Sequence, residues 1–436
     1  MRRVRAGHSL SELLPQQPAA LRAGVQALTF HTLRWLGLAE GLRSLLVQRR
    51  PPAAADALLC VALAVLAEPG PAYEAFTLIH QAVEAANRDA DMQPQARLIN
   101  ACLRRFTREW RMLRRMLRSQ GHVVAAFNHP MWWVRRMKGD HPNSWQSVLQ
   151  EAQRTPPMVL RVNVQRISVE DFMAELARAS LPAMALGGAA VRLELPCPVH
   201  RIPGFAKGWC SVQSLTAQRA APLLLGALPE SCEAPRVLDA CAAPGGKTAH
   251  MLELRPDARM TAIDIDATRL GMVRENMQRL GLHADVLCAD ASCPQDWWDG
   301  QMFDAIMLDA PCSASGVTSR HPDVRWLRRE SDIAHMAERQ DALLHALWPL
   351  LRAGGALLYV TCSAFRQEGS ERIKAFVASH ADAQHLRSPG YVLPKTPRPD
   401  MPPPRAAGDN AAPPPPDDDG FFFALLRKGA VPQPAS

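Results

Sequence analysis

The stretch of sequence that decides the fold joins a short apolar segment to a helical one through two adjacent glycines. It reads Val237-Leu238-Asp239-Ala240-Cys241-Ala242-Ala243-Pro244-Gly245-Gly246-Lys247-Thr248. In open α/β sheets, a glycine-rich turn after a strand lets a ligand approach the backbone at the carboxyl edge of the sheet. We therefore expect a cofactor-binding turn formed by the seven residues from Cys241 to Lys247.

Beyond this turn the chain alternates short apolar segments with helical stretches such as Thr268–Leu280 and Ile333–Leu350. The apolar segments are Val237–Leu238, Met260–Ile263, Val286–Cys288, Ala305–Leu308 and Ala356–Thr361. Such alternation predicts parallel strands joined by crossover helices. We therefore expect an α/β Rossmann-like domain with a doubly wound, mainly parallel, seven-stranded sheet, in which Phe421–Leu426 is the last buried strand.

The rest of the chain predicts other kinds of structure. Residues 1–130 are rich in Ala, Leu, Gln and Arg without strand–helix alternation, which predicts an all-α domain. Residues 131–208 combine strand-like pieces with one helical stretch, which predicts a small α+β linker domain. The α/β domain then spans residues 209–428, a Pro-rich surface loop occupies 394–416 within it, and 429–436 form a tail.

Acidic residues stand at the ends of three consecutive predicted strands. Asp239 ends the first strand, and Asp264 closes the second, where a carboxylate can accept both hydroxyls of a ribose. Asp290 follows the third strand, where it can meet an adenine amino group. One such residue alone often only caps a turn. All three together favour an adenosine-containing ligand without a pyrophosphate, and we expect S-adenosyl-L-methionine.

Two cysteines follow the next two strands. The fourth strand ends in Leu308-Asp309-Ala310-Pro311-Cys312, and the fifth ends in Val360-Thr361-Cys362-Ser363. A free cysteine is usually a small buried apolar residue. Cys312 and Cys362 differ because the carboxyl edge of the sheet is where a substrate can reach them. They are therefore candidate catalytic residues, together with Asp309.

Composition excludes several classes of protein. The 436 residues include 50 basic and 42 acidic ones, and 47% are hydrophobic, so wholesale disorder is excluded. The longest apolar run, Ala57–Ala67, is shorter than the ~20 residues needed to cross a bilayer. None of the ten cysteines forms a CxxC pair, so we expect no metal site or disulfide framework. We expect a cytoplasmic protein that is monomeric and does not bind membranes.

The positive charge is concentrated in one segment. Between Arg97 and Lys138 there are eleven basic residues and one acidic residue, Glu109. Leu103, Phe106, Trp110, Leu113 and Leu117 recur there at helical spacing and predict one apolar face. A second face carries an arginine row: Arg104, Arg108, Arg111, Arg115 and Arg118. The row is either a solvated helix surface or, as the near absence of acids favours, a phosphate-binding surface for nucleic acid.

Taken in order, the motifs resemble those of the NOL1/NOP2/Sun family of RNA cytosine-5 methyltransferases. The resemblance spans about residues 205–428. It is carried by Asp-Ala-Cys-Ala-Ala-Pro-Gly-Gly-Lys-Thr, Ala-Ile-Asp-Ile-Asp, Leu-Asp-Ala-Pro-Cys-Ser-Ala-Ser-Gly-Val and Tyr-Val-Thr-Cys-Ser. The segment Arg320-His321-Pro322-Asp323-Val324-Arg325-Trp326 also looks like the family's substrate-side segment, which adds Arg320 and His321 to the candidate RNA-binding residues.

The resemblance implies a role for each residue of the candidate site. Cys362 is the expected nucleophile, which attacks C6 of cytosine so that C5 can accept the methyl group. Cys312 is expected to assist product release, and Asp309, when protonated, to donate to N3 of the base. The target base must be unstacked for this chemistry, and single strands and loops of RNA present such bases most easily.

The amino-terminal 130 residues resemble the NusB-type RNA-binding domain, through their helical composition and stretches such as Arg97-Leu98-Ile99-Asn100-Ala101-Cys102-Leu103-Arg104. That fusion is typical of the RsmB/Sun branch, and it implies small-subunit (16S) ribosomal RNA as the substrate. One position departs from the family pattern. Ser214 stands where the family usually has an acid, which puts that acid's contact to the methionine end of the cofactor in doubt.

Three alternatives stay open at this point. The same chemistry could act on transfer RNA or large-subunit ribosomal RNA, which the helical amino-terminal domain disfavours. The chain could be a non-catalytic RNA-binding or assembly factor, although both cysteines and the three strand-end acids are present. A P-loop ATPase is the third alternative. It requires a glycine five residues before Gly246, where the chain has Cys241.

Overall fold

The computed structural model describes residues 1–67, 73–394 and 419–429. In these ranges the helices are α1 (Arg2–Arg5), α2 (Leu10–Leu13), α3 (Ala19–Arg34), α4 (Leu36–Leu46), α5 (Ala53–Leu66), α6 (Ala75–Asn87), α7 (Ala96–Ser119), α8 (Val123–Phe127), α9 (Met131–Asp140), α10 (Trp145–Glu151), α11 (Val169–Arg178), α12 (Ala220–Leu225), α13 (Gly246–Leu254), α14 (Ala267–Leu280), α15 (Val324–Leu327), α16 (Glu330–Leu347) and α17 (Ser370–Ser379). The strands are β1 (Met158–Val162), β2 (Ala183–Gly187), β3 (Ala190–Leu193), β4 (Cys210–Val212), β5 (Arg236–Ala240), β6 (Arg259–Asp264), β7 (Asp285–Cys288), β8 (Phe303–Asp309), β9 (Leu351–Thr361), β10 (Ala383–His385), β11 (Gly390–Val392) and β12 (Phe421–Lys428).

The chain divides into two compact units. The first contains Met1–Thr155 together with Thr318–Glu330, and the second contains Pro156–Val317 together with the chain from Ser331 onward. The domain boundaries expected near residues 130 and 208 stay predictions. Most of the expected Pro-rich loop at 394–416 and of the tail at 429–436 lies outside the described residues.

The described part of the first unit is all-helical, as predicted. Its core is built from aliphatic side chains, most of them on α4, α5 and α7, such as Leu42, Leu63 and Leu103. Asp56 is fully buried in this unit, and the guanidinium groups of Arg5, Arg43 and Arg50 lie 2.8 to 3.2 Å from its carboxylate. A buried carboxylate requires such partners because desolvation penalises the charged form.

The second unit begins with a small antiparallel sheet in the strand order β2-β3-β1-β4. Helix α11 contributes Phe172 and Leu176 to the core of this sheet, and both side chains are fully buried. Ser168 caps the helix by accepting a 3.0 Å hydrogen bond from the backbone N–H of Asp171. This region is the α+β structure that the sequence predicted.

The larger sheet of the second unit has the strand order β10-β12-β9-β8-β5-β6-β7, and β11 pairs with β12 beside that path. Strands β5 to β9 run parallel, and β12 runs antiparallel to β9. The mainly parallel α/β sheet is therefore confirmed, but among the described residues it has eight strands instead of the expected seven, because the short strand β11 also pairs with β12. The chain leaves β5 toward β6 on one side and later returns to β8 on the other. That reversal opens a crevice at the carboxyl ends of the strands, where open α/β sheets bind ligands.

Two other kinds of feature are absent from the described part of the chain. No helix in the described ranges is long and apolar enough to span a membrane. Among the same residues, no group of His, Cys, Asp or Glu side chains is arranged to hold a metal ion.

Candidate active site

The glycine-rich turn connects β5 to α13 with a backbone that bends sharply at two residues. Cys241 and Gly245 have positive φ angles of 64° and 95°. A Cβ atom on Gly245 would lie 3.2 Å from the backbone of Val273, so a larger residue would be both strained and crowded there. Ala242 and Ala243 are buried, whereas Pro244 is exposed and Gly246 half-buried. The turn therefore presents closely approachable backbone at the crevice.

Asp264 and Asp290 lie at the carboxyl ends of β6 and β7, as predicted. Asp264 accepts hydrogen bonds from the backbone N–H groups of Ala243 and Asp266, at 3.1 and 3.0 Å, one on each oxygen. Ser292 donates two hydrogen bonds to Oδ1 of Asp290 and lowers the pKa of that carboxyl. Carboxylate oxygens can accept more than one hydrogen bond.

These features fit the binding of S-adenosylmethionine. Four carboxyl groups, on Asp239, Asp264, Asp290 and Asp309, stand at neighbouring strand ends, and Lys247 is ion-paired with the last of them, Asp309. A crevice of that charge attracts a ligand that carries a sulfonium and an ammonium group. Asp264 and Asp290 would bind the adenosine part, and the turn would approach the rest of the cofactor.

Asp239 differs from the other carboxylates because it is fully buried. Thr248 donates a 2.6 Å hydrogen bond to its Oδ2, while its Oδ1 has no hydrogen-bond partner in the described residues. Burial raises the pKa of Asp239 to about 7, above the ordinary value of 3.8. The group therefore stabilises the fold fully below about pH 4, and that contribution is lost as the pH rises to about 7.

Replacing Asp239 by Asn should remove this pH dependence. Asn can still accept the Thr248 hydrogen bond but stays neutral. Between pH 5 and pH 7, its stability relative to the parent protein should rise by about 2 to 3 kcal/mol. Thermal unfolding of both proteins across this pH range measures the change. The matched control is Asp257→Asn. Its free energy of unfolding relative to the parent should stay constant between pH 5 and pH 7, because the hydrogen bond from Arg255 lowers the pKa of Asp257 to about 2. If the free energy of unfolding of Asp239→Asn relative to the parent is also constant over this pH range, the raised pKa of Asp239 is contradicted.

Lys247 and Asp309 form an ion pair at the same edge. Lys247 Nζ lies 2.5 Å from Oδ2 of Asp309, and both side chains are at most partly exposed. Burial lowers the pKa of Lys247, but the charge and hydrogen bond of Asp309, together with Asp239 and Cys362, outweigh burial, so the pKa of Lys247 is raised. The sequence predicted both residues as site residues but not their pairing, which links the cofactor-binding turn to the end of β8.

Cys312 and Cys362 lie together, with their sulfur atoms 3.3 Å apart. β8 and β9 are neighbours, and the backbone N–H of Gly316 donates a 2.9 Å hydrogen bond to the carbonyl of Cys362, which joins the two segments. Both cysteines are partly exposed. The hydrogen bond with Cys362, burial and the Glu368 carboxylate raise the pKa of Cys312 well above its ordinary value. Cys312 therefore keeps its proton beside the sulfur of Cys362.

The sequence analysis missed several residues that support the site. Arg161 on β1 is fully buried, and it forms a two-pronged ion pair with Glu253 on α13 at 2.7 and 2.9 Å. It also donates hydrogen bonds to the backbone carbonyl of Gly246 and to the side chain of Gln213. Arg161, on strand β1 of the small sheet, therefore fixes the backbone of the cofactor-binding turn through its hydrogen bond to Gly246. Glu368, whose carboxylate accepts hydrogen bonds from Ser313 and Ser363, was not predicted as a site residue either.

The five arginines of the predicted row are all exposed along α7 in the first unit. The predicted apolar face is wrong at one position, since Trp110 is 42% exposed. The guanidinium groups of Arg111 and Arg114 lie 5.6 and 6.0 Å from its ring centre. A tryptophan ring is large and carries an N–H group, so it is seldom fully buried. An exposed aromatic ring among arginines is typical of surfaces that bind single-stranded nucleic acid.

Arg320 and His321 belong to the first unit, with the arginine row, and not to the unit that contains the two cysteines. Arg320 is half-buried and His321 is exposed. The segment that carries them is anchored by Arg325, which is fully buried and donates hydrogen bonds to the carbonyls of Ala152 and Thr318 at 2.6 and 3.0 Å.

Comparisons with known proteins show the family to which the chain belongs. The family profile described as 16S rRNA methyltransferase RsmB/F matches residues 228–427. The profile of the ferredoxin-like domain of RsmF/B-like methyltransferases matches residues 129–200. Among solved structures, the crystal structure of PH0851 superposes with a TM-score of 0.73 at 22% identity, covering 95% of this chain and 91% of that one. NSun6 from Pyrococcus horikoshii with SFG superposes at 0.56 and 20% identity, covering 69% of this chain and 99% of that one.

Curated relatives match over nearly the whole chain. Ribosomal RNA small subunit methyltransferase B of Vibrio cholerae is 41% identical over 397 residues, which are 88% of this chain and 88% of that protein. The protein of the same name in Salmonella newport is 40% identical over 411 residues, which are 92% of this chain and 91% of the relative. The chain therefore belongs to the RsmB/F family of rRNA methyltransferases, and it is an enzyme that uses S-adenosylmethionine.

Proposed function

We propose that the enzyme methylates C5 of a specific cytosine in 16S ribosomal RNA through a covalent bond between Cys362 and C6 of the base. The observation that carries this proposal is the pair of partly exposed thiols, 3.3 Å apart, at the carboxyl ends of adjacent strands. C5 of cytosine is too weak a nucleophile to accept a methyl group unaided. A thiol that adds to C6 removes that obstacle.

The first step needs an ionised thiol on the nucleophile, Cys362. The neighbouring thiol stays protonated, because the hydrogen bond with Cys362, burial and the Glu368 carboxylate raise the pKa of Cys312, so no second negative charge develops beside the nucleophile. The Cys362 thiolate forms the bond to C6, and the electron pair of the C5–C6 double bond moves into the ring. S-adenosylmethionine, when bound, would supply the electrophilic methyl group that C5 accepts, and its sulfur would keep the electron pair of the broken S–CH3 bond as a neutral thioether.

Asp309 serves the same step by offsetting the charge that develops on the ring. We assign it the donation of a proton to N3 of the base. Lys247 lies 2.5 Å from the Asp309 carboxylate, so it is the group placed to pass a proton to Asp309. The pair thus connects proton transfer to the turn that would hold the cofactor.

Release requires the proton on C5 to pass to solvent, which reaches this site because both cysteines are partly exposed. The electron pair of the C5–H bond restores the C5–C6 double bond, the bond from C6 to sulfur breaks, and Cys362 departs as a thiolate. We assign assistance of this elimination to Cys312, because its sulfur is in contact with that of Cys362. The N3 proton returns through Asp309 to Lys247, which restores the ion pair and completes the cycle.

We assign the arginine row of α7 to RNA binding, with Arg320 and His321. If the row binds phosphates, replacing Arg108, Arg111 and Arg115 together by Ala should weaken RNA binding. The slope of log affinity against log salt should fall by about 0.7 for each single-strand phosphate that the variant no longer binds. Filter binding at several salt concentrations measures both. Arg88→Ala is the matched control, since Arg88 is exposed on the same unit but paired with Glu84. An unchanged slope in the triple variant would show that the arginine row is a solvated helix surface that binds no RNA phosphates.

Methylation in vitro distinguishes the candidate substrates. Small-subunit ribosomal RNA, large-subunit ribosomal RNA and transfer RNA are each incubated with enzyme and S-adenosylmethionine and then sequenced after bisulfite treatment. We expect one unconverted cytosine, in the small-subunit RNA alone. Protection in another RNA would assign the same chemistry to that substrate. No protection in any of them would favour a binding or assembly role.

We also propose that the enzyme works as a monomer. A monomer suffices, because one chain carries both thiols, Asp309 and the residues that fit the cofactor. We place this activity in the cytoplasm.

A further inference from the structure

The carboxylate of Glu368 accepts hydrogen bonds from the residues that directly follow Cys312 and Cys362, and the proposed reaction gives it no role. Glu368 ends a short 3-10 turn, Arg366–Glu368, and its side chain is fully buried. The donors to its two carboxylate oxygens are neutral groups of Ser313, Ser363 and Gln340. A buried carboxylate needs several hydrogen-bond donors to offset its desolvation.

Those donors come from the two segments that carry the cysteines. The backbone N–H of Ser313 donates to Oε1 of Glu368 at 2.7 Å, and the hydroxyl of Ser313 donates to Oε2 at 2.5 Å. The hydroxyl of Ser363 donates to the same Oε2 at 2.6 Å. Ser313 follows Cys312 directly, and Ser363 follows Cys362 directly. One carboxylate thus joins the residues next to both thiols.

Further hydrogen bonds fix this arrangement. Gln340 on α16 donates to Oε1 of Glu368 at 3.3 Å and to the carbonyl of Pro311 at 2.9 Å. The hydroxyl of Tyr359 donates to the backbone carbonyl of Glu368 at 2.8 Å. Ser313, Ser363, Gln340 and Tyr359 are all fully buried. Because water does not compete for these donors, the network holds a single geometry.

We propose that Glu368 is a positioning residue that sets the separation of the Cys312 and Cys362 sulfurs by bridging Ser313 and Ser363. The inference rests on the proposed function for its catalytic consequence, but the spacing itself is a property of the protein alone. Loss of the bridge would let the two loops move independently. A displacement of about 1 Å at reacting groups can lower a rate by about 100-fold.

The first test measures thiol spacing without RNA or cofactor. Dibromobimane bridges two thiols only when they lie close together, and mass spectrometry of the digested protein identifies the bridged Cys312–Cys362 peptides. We expect Glu368→Gln to form this bridge severalfold more slowly than the parent protein. Gln keeps the shape but lacks the charge and one acceptor oxygen. Glu371→Gln is the matched control, because Glu371 is exposed in the adjoining helix α17. It should bridge at the parental rate.

The second test separates positioning from stability. In Glu368→Gln we expect kcat for methyl transfer to fall by about 100-fold, while S-adenosylmethionine binding stays at the parental affinity. If that variant does not fold, the double variant Ser313→Ala/Ser363→Ala removes both hydroxyl donors and should show the same two changes. Parental bridging in a folded variant would overturn the proposal, whatever its activity. Slow bridging without any methylation activity in the parent would leave the positioning role intact and refute the proposed function instead.

Discussion

Cys362→Ala should lose methyl transfer completely, by on the order of 10⁴-fold or more, because no other group would bond to C6 of the base. The substitution removes only one sulfur from a half-buried position, so the fold and the cofactor-binding turn should persist. Transfer of radiolabelled methyl groups to small-subunit ribosomal RNA measures the activity. Calorimetric titration with S-adenosylmethionine should give the parental affinity.

Two further variants make this result specific to the thiolate. Cys362→Ser keeps a hydroxyl of similar size, but a hydroxyl does not ionise at neutral pH, so this variant should be as inactive as Cys362→Ala. Cys197→Ala changes another half-buried cysteine and should retain parental activity. Measurable turnover in Cys362→Ala would refute covalent catalysis by this residue.

Cys312→Ala should have the opposite effect: a covalent protein–RNA complex should accumulate, whereas Cys362→Ala forms none. With Cys362 intact the bond to C6 still forms and the methyl group is still transferred, but elimination is impaired. Enzyme incubated with RNA and S-adenosylmethionine should therefore yield a protein–RNA complex that survives denaturation. A slower-migrating band on a denaturing gel measures it, and we expect most of the active enzyme to be trapped.

The control for this experiment is the double variant Cys312→Ala/Cys362→Ala, which should form no complex because the nucleophile is absent. Ribonuclease treatment should collapse the slower band in the single variant. Normal turnover without trapping in Cys312→Ala would show that release uses another group. Trapping in the double variant would assign the bond to a residue outside the pair.

Much of the α/β unit could be predicted because most of its parallel strands are buried. Strands β5, β6 and β8 and the second half of β9 therefore appear in the sequence as apolar runs, whereas β7 is a mostly exposed strand of four residues. The carboxyl ends of these strands locate Asp264, Asp290 and both cysteines at one edge. β10 and β11 were missed. Each has only three residues and pairs with β12 at the margin of the sheet, so neither produces a recognisable pattern.

The details of the site could not be predicted in the same way. The contact between the sulfur atoms depends on pairing of β8 with β9 and on a bridge through Glu368, which is 55 residues from Ser313. Glu368 and Arg161 were missed because charged side chains are seldom fully buried, so both are expected at the surface. Only tertiary structure provides the partners that make their burial tolerable. Trp110 shows the reverse case, an aromatic residue at core spacing that lies exposed between arginines.

The most direct test of the account identifies the atom that bonds to the RNA. The complex trapped by Cys312→Ala is digested with protease and ribonuclease, and the peptides are sequenced by mass spectrometry. We expect a methylated cytidine nucleotide attached to the sulfur of Cys362 in the peptide that contains it. A nucleotide on any other residue, or a complex whose cytosine carries no methyl group at C5, would contradict it.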